Sequence, residues 1–154
     1  MAEAFGAPAV IVQRSAGTPV SGLAYATAAM LGVPAIIAED GGAGQYDSDV
    51  AMRMLRGVEN VLRSLAVLEG PVRNVPPPCR FDRFVWVRTR EAGFFRAEVK
   101  VGEEVAAGQR LGTLVDFHGR TLEEVTAPNH GQILFLIISP AIGRSGLICG
   151  VGVE

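Results

Sequence analysis

The carboxylate best placed to do chemistry is Glu39. It ends an apolar run, Val33-Pro34-Ala35-Ile36-Ile37-Ala38, and opens a glycine-rich stretch, Asp40-Gly41-Gly42-Ala43-Gly44. Such a run reads as a strand emptying into a loop. Open α/β domains bind their ligands beyond the carboxyl ends of their strands. An acid at that lip can be held partly out of water and serve as a general base near neutral pH. The alternative reading is a strand-end acid that caps the N–H groups of its own loop. Asp40 is the weaker candidate, because alternation along a strand turns it to the other side.

The remaining groups carry less. His118 in Phe117-His118-Gly119-Arg120 and His130 in Pro128-Asn129-His130-Gly131 read as surface-loop residues. Cys79 and Cys149 have no second Cys or His at zinc spacing, so neither a cysteine metal site nor a disulfide framework is expected, and both read as ordinary thiols. No residue of this chain is assigned as a metal ligand. The formal charge of −2 over 154 residues offers no basic stripe, which argues against nucleic acid and anionic lipid as partners. No apolar run approaches the roughly 20 residues that span a bilayer. The first nine residues lack a basic stretch followed by a hydrophobic one, so a cytoplasmic location is the expectation. A small molecule or another protein chain remains as the partner.

The elements that would position Glu39 alternate in type. Ala7-Pro8-Ala9-Val10-Ile11-Val12 and residues 33–38 are continuous apolar runs, the pattern of strands buried on both faces. Between them Thr18-Pro19 supplies a cap and a first helical residue, and Gly32 a stop, which predicts a helix over residues 19–31. Asp47 and Ser48 are caps for a next helix, whose apolar stripe comprises Val50, Met54, Val58, Val61, Leu62, Leu65 and Leu68. Arg53, Arg56, Asn60 and Arg63 fall opposite. Two doubly buried strands with two helices do not complete a parallel sheet. An absent upstream segment, or else another copy of the chain, is therefore expected to supply the remaining strands.

Composition then changes across Gly70-Pro71-Val72-Arg73-Asn74-Val75-Pro76-Pro77-Pro78, a helix-hostile stretch. Beyond it short β-rich runs follow: residues 84–87, 93–95, 110–115, 132–138 and 147–151. The expected organisation is part of an α/β domain over residues 1–68, a proline-rich linker over 69–80 and a small all-β domain, barrel or sandwich, over 81–154.

The segment Gly32-Val33-Pro34-Ala35-Ile36-Ile37-Ala38-Glu39-Asp40-Gly41-Gly42 resembles the strand and Glu-x-Gly turn of the succinylglutamate desuccinylase/aspartoacylase family. Residues 2–8, 53–62, 101–116 and 126–138 resemble neighbouring parts of the same family, so the likeness runs over essentially the whole chain. It implies a partial zinc-carboxypeptidase-like α/β domain, with this chain corresponding to the C-terminal half. The implied reaction is zinc-dependent hydrolysis of the amide bond of a small N-acyl amino acid or related compound. The residue matching Glu39 is the family's general base, activating the metal-bound water. The family's zinc ligands are two histidines and a glutamate, from a His-x-x-Glu motif and a later histidine earlier in the chain. Neither His118 nor His130 begins such a motif, so the complete enzyme would hold zinc through ligands outside this chain, and the chain alone is expected to be inactive.

By the same resemblance Tyr25 matches a substrate-contacting tyrosine. Ala29 stands where some members carry an arginine, which puts N-acylaspartate in doubt as substrate. A tyrosine packed by its ring with its hydroxyl at the surface is the other reading of Tyr25. The β half, in residues 99–112 and 127–131, resembles biotinyl and lipoyl carrier domains. The sole lysine, Lys100, precedes the first turn instead of occupying a hairpin tip, so the shape is expected without the prosthetic group. A non-catalytic binding or assembly module that keeps the fold is the rival to the hydrolase.

Overall fold

The computed structural model describes residues 1–12 and 23–154. The chain divides into two compact units, Met1–Arg80 and Phe81–Glu154.

In the first unit α3 (Ser48–Ser64) is the organising element. Asp47 caps it, its carboxylate accepting from the N–H groups of Asp49 (2.8 Å) and Val50 (3.2 Å). The short helix α1 (Ala2–Phe5) packs on α3, with the Phe5 ring so close to Gly57 that a Cβ there would lie 2.6 Å from it. Asn60 is buried, and its side chain pairs with the backbone of Arg73, accepting from N–H at 3.0 Å and donating to C=O at 3.3 Å. Glu59 adds an ion pair to Arg73. The proline-rich stretch is thereby strapped to the helix, because a chain poor in N–H donors has few backbone partners of its own. Asn60 is thus not on a solvated polar face as the stripe suggested. Val58, assigned to the buried stripe, is instead exposed.

The two strands expected to be doubly buried differ from that reading. Only Ala9–Ile11 form a strand, β1, and its partner is β2 (Cys79–Phe81), with the Cys79 N–H on the Pro8 carbonyl. Residues 33–38 form no strand, and Val33, Ile36 and Ile37 are exposed. Among the described residues, the amides and carbonyls of 35–40 make no backbone hydrogen bond to one another or to a neighbour. A strand is defined by its ladder, and no described segment lies alongside to form one. The helix α2 covers Ala24–Met30; the expected cap at Thr18-Pro19 lies outside the described residues. Its stop is as read: Gly32 takes a left-handed φ of 73°, with Gly32 N–H on the Ala29 carbonyl and Val33 N–H on that of Ala28.

The second unit holds two four-stranded antiparallel sheets. One runs β3 (Arg83–Arg88), β10 (Leu147–Val153), β8 (Gly131–Leu136), β5 (Glu104–Val105). The other runs β7 (Thr121–Thr126), β6 (Arg110–Val115), β4 (Gly93–Ala97), β9 (Ala141–Ile142). Their inner faces share one core that includes Leu111, Leu114, Ile133, Ile148 and Val151. Every fully buried apolar side chain of the described residues lies in this unit. The five expected β runs are present. The strand β7 was not read from the sequence, because Glu123 and Glu124 interrupt its apolar pattern. The Glu123 carboxylate is tucked in, accepting from the N–H of Arg90 at 2.8 Å and its Nε at 3.2 Å.

Close backbone approach fixes the glycine at 93, where a Cβ would sit 2.6 Å from the Val115 carbonyl of the neighbouring strand. Gly143 has open space around it. Gly93→Ala is expected to lower stability by about 1–3 kcal/mol through overpacking, whereas Gly143→Ala stays within about 0.5 kcal/mol of the parent. Urea midpoints of the two variants give the comparison; equal midpoints would show that β4 and β6 do not approach this closely in solution.

Candidate functional site

Glu39 lies where the apolar stretch of residues 33–38 meets the glycine loop, and it is exposed. The partial exclusion from water expected of it is not seen, and among the described residues no ladder forms along the segment that carries it. Its neighbour Asp40 is the more strongly held of the two. Arg53 of α3 donates through Nε to Asp40 Oδ2 at 2.8 Å and through Nη2 to Oδ1 at 3.3 Å. The Gly41 N–H adds a third bond to Oδ1 at 2.8 Å. The loop continues with left-handed residues at Gly41, Ala43 and Gly44, a Gln45 N–H bond to the Gly42 carbonyl, and the Asp47 cap.

Arg53 holds the Asp40 carboxyl below the usual carboxylate range, first through its hydrogen bond and then through its charge; the Gly41 N–H helps and partial burial opposes. Sequence reading put Arg53 on a solvated helix face and missed this pair, since the two residues are related by the path of the loop and by no regular spacing.

Tyr25 is half-buried in the first turn of α2, and Ala29 is exposed one turn later. The helix stop at Gly32 links α2 to the stretch that ends in Glu39, so both residues belong to the first unit. His118 and His130 are exposed in the second unit, in separate turns. At the β6–β7 turn the Asp116 carboxylate accepts from the N–H groups of His118 and Arg120. Lys100 is exposed just before the turn at 101–102. Cys79 is exposed and free, while burial pushes the Cys149 thiol up to about 11. Among the described residues no three His, Cys, Asp or Glu side chains gather to hold a metal ion. A three-ligand zinc site therefore does not fit the side chains present. An open, apolar depression of about 430 Å³ is lined by Ala29, Val33, Pro34 and Ile36 among others, and Glu39 is not part of it. No helix of the described residues is long and apolar enough to cross a membrane.

This is a mixed α/β chain whose fold recurs in solved structures. It superposes with a TM-score of 0.87 on the apo structure of the ectoine utilization protein EutE (DoeB) from Ruegeria pomeroyi, at 21% identity, over 99% of this chain and 49% of that one. A succinylglutamate desuccinylase/aspartoacylase from Rhodobacter sphaeroides matches with a TM-score of 0.79 at 23% identity, over 97% and 46%. A succinylglutamate desuccinylase from Silicibacter sp. TM1040 matches with a TM-score of 0.75 at 19% identity, over 97% and 46%. The chain thus has the fold of part of a succinylglutamate desuccinylase/aspartoacylase family protein and spans about half the length of these structures. No protein-family model and no curated protein matches it.

Because Arg53 lowers the folded-state value of Asp40 below its unfolded value, the contribution of the pair is present above the unfolded carboxylate range. It is lost as pH falls through the folded value. A carbon-13 NMR titration of the Asp40 carboxyl is expected to show a midpoint below the ordinary one, moving up in Arg53→Ala. Coincident midpoints in parent and variant would mean that the pair does not form in solution.

Proposed function

We propose that this chain is the C-terminal portion of a zinc-dependent deacylase that cleaves the amide bond of a small N-acyl amino acid or related compound, and that Glu39 is its general base. The observation that carries the reading is the coincidence of two independent features. Glu39 lies at the mouth of a glycine loop in a chain whose fold matches nearly half of several desuccinylase/aspartoacylase structures. The backbone of residues 35–40, unpaired among the described residues, and the exposed Val33, Ile36 and Ile37 fit a segment that becomes a strand when neighbouring strands are supplied. In the proposed enzyme those neighbours, and the zinc ligands, come from the remainder of a longer protein. With the strand covered, Glu39 would be withdrawn from bulk water into a site where a carboxylate works as a base.

The role of Glu39 is proton transfer. It accepts a proton from the attacking water and delivers it to the nitrogen of the departing amine, leaving a carboxylate and an amine as products. Tyr25, on the helix leading into the same segment, is proposed to contact substrate. The second unit we read as a barrel or sandwich of the biotinyl-lipoyl kind without a prosthetic group. The enzyme is proposed to be cytoplasmic.

The deciding experiment is Glu39→Gln in the longer protein, which keeps size and hydrogen-bonding capacity while removing the base. Zinc content and folding are expected to persist, and turnover to fall by roughly 10²- to 10⁴-fold. KM is expected to change much less, because the lost interaction belongs to the transition state. Parental turnover in a folded, zinc-loaded variant would return Glu39 to loop capping and favour a binding or assembly role for this chain.

A further inference from the structure

The reaction proposed for Glu39 makes no use of the two charged groups beside it, Asp40 and Arg53, although theirs is the most fully bonded carboxylate of the glycine loop. Three donors converge on Asp40: Nε and Nη2 of Arg53 and the backbone N–H of Gly41. Arg53 lies on α3, thirteen residues further along the chain. The same helix touches the loop a second time, where a Cβ on Gly41 would meet Val50 Cγ1 at 3.2 Å, with Gly41 held at φ 84°. Residue 40 is therefore tied to α3 by a planar guanidinium fork, and the space beside Gly41 is closed off by Val50 of the same helix.

Stability alone is a poor reason for the pair. Its side chains are 56% and 34% exposed, and ion pairs so placed contribute little. What a two-pronged arginine–carboxylate contact does supply is direction. An aspartate held down on α3 fixes the turn next to Glu39.

We propose that Asp40 and Arg53 are a positioning pair for Glu39, orienting the general base through the single peptide link between residues 39 and 40. The proposal rests on the reading of Glu39 as the base. Neither residue touches substrate. Misplacing a reacting group by about 1 Å costs on the order of 10²-fold in rate, so the pair acts on kcat and leaves substrate affinity and overall stability nearly alone.

The test uses Arg53→Ala, Arg53→Lys, Glu39→Gln and the double variant Glu39→Gln with Arg53→Ala in the longer protein. Arg53→Ala is expected to lower kcat by about 10- to 100-fold, with KM within roughly twofold and an unchanged urea midpoint. Arg53→Lys keeps the charge without the fork and is expected to recover only part of the loss. The double variant is expected to be no slower than Glu39→Gln alone, since a base already removed cannot be misaimed. Loss of turnover in Glu39→Gln with parental kcat in Arg53→Ala would overturn the positioning pair while keeping Glu39. So would additive losses in the double variant, or full recovery by lysine. Parental turnover in Glu39→Gln would instead remove the reading on which the pair depends.

Discussion

A backbone N–H or C=O that leaves water has to find a partner, and the two units of this chain meet that demand differently. In the second unit the strand β10 is hydrogen-bonded on both sides, to β3 and to β8, and its residues from Ile148 to Val153 are all buried. Among its described residues the first unit shows no such closed ladder. Its backbone between residues 35 and 40 stays unpaired among the described residues, and it has no fully buried apolar side chain. Exposure of Ile36 and Ile37 follows directly, since apolar side chains on an unladdered segment have no second layer to enter.

That constraint also decides what Glu39 can do. A carboxylate gains basicity when its site is covered. The chain itself frames the loop that follows Glu39. Asp47 caps α3, Arg53 of α3 grips Asp40, and the left-handed Gly41, Ala43 and Gly44 carry the loop between them. Glu39 thus adjoins a framed loop, and the proposed function assigns the strands that would cover it to the remainder of a longer protein.

Local chemistry was legible in the sequence and pairing was not. The Asp47 cap and the Gly32 stop could be read because each depends on a few consecutive residues. The β runs of the second unit could be read because β-branched and aromatic residues cluster between turns. The strand at residues 33–38 was misjudged because an apolar run reports a demand for burial and says nothing of whether a neighbour is present. Asn60 was misjudged, and the partner of the exposed Arg53 went unread, for a related reason: Arg73 and Asp40 are each thirteen residues away along irregular paths. Glu39 could be found as a candidate from its place at the end of an apolar run, but its exposure could not.

Hydrogen exchange of the backbone amides of residues 35–40 tests most directly whether the Glu39 segment is a strand without neighbours. In this chain those amides are expected to exchange at rates close to those of an unstructured peptide, while the amides of β10 exchange only on global unfolding. In the longer protein the same six amides are expected to become protected to a degree comparable with β10. Protection of residues 35–40 in this chain alone, or its absence in the longer protein, would contradict the account.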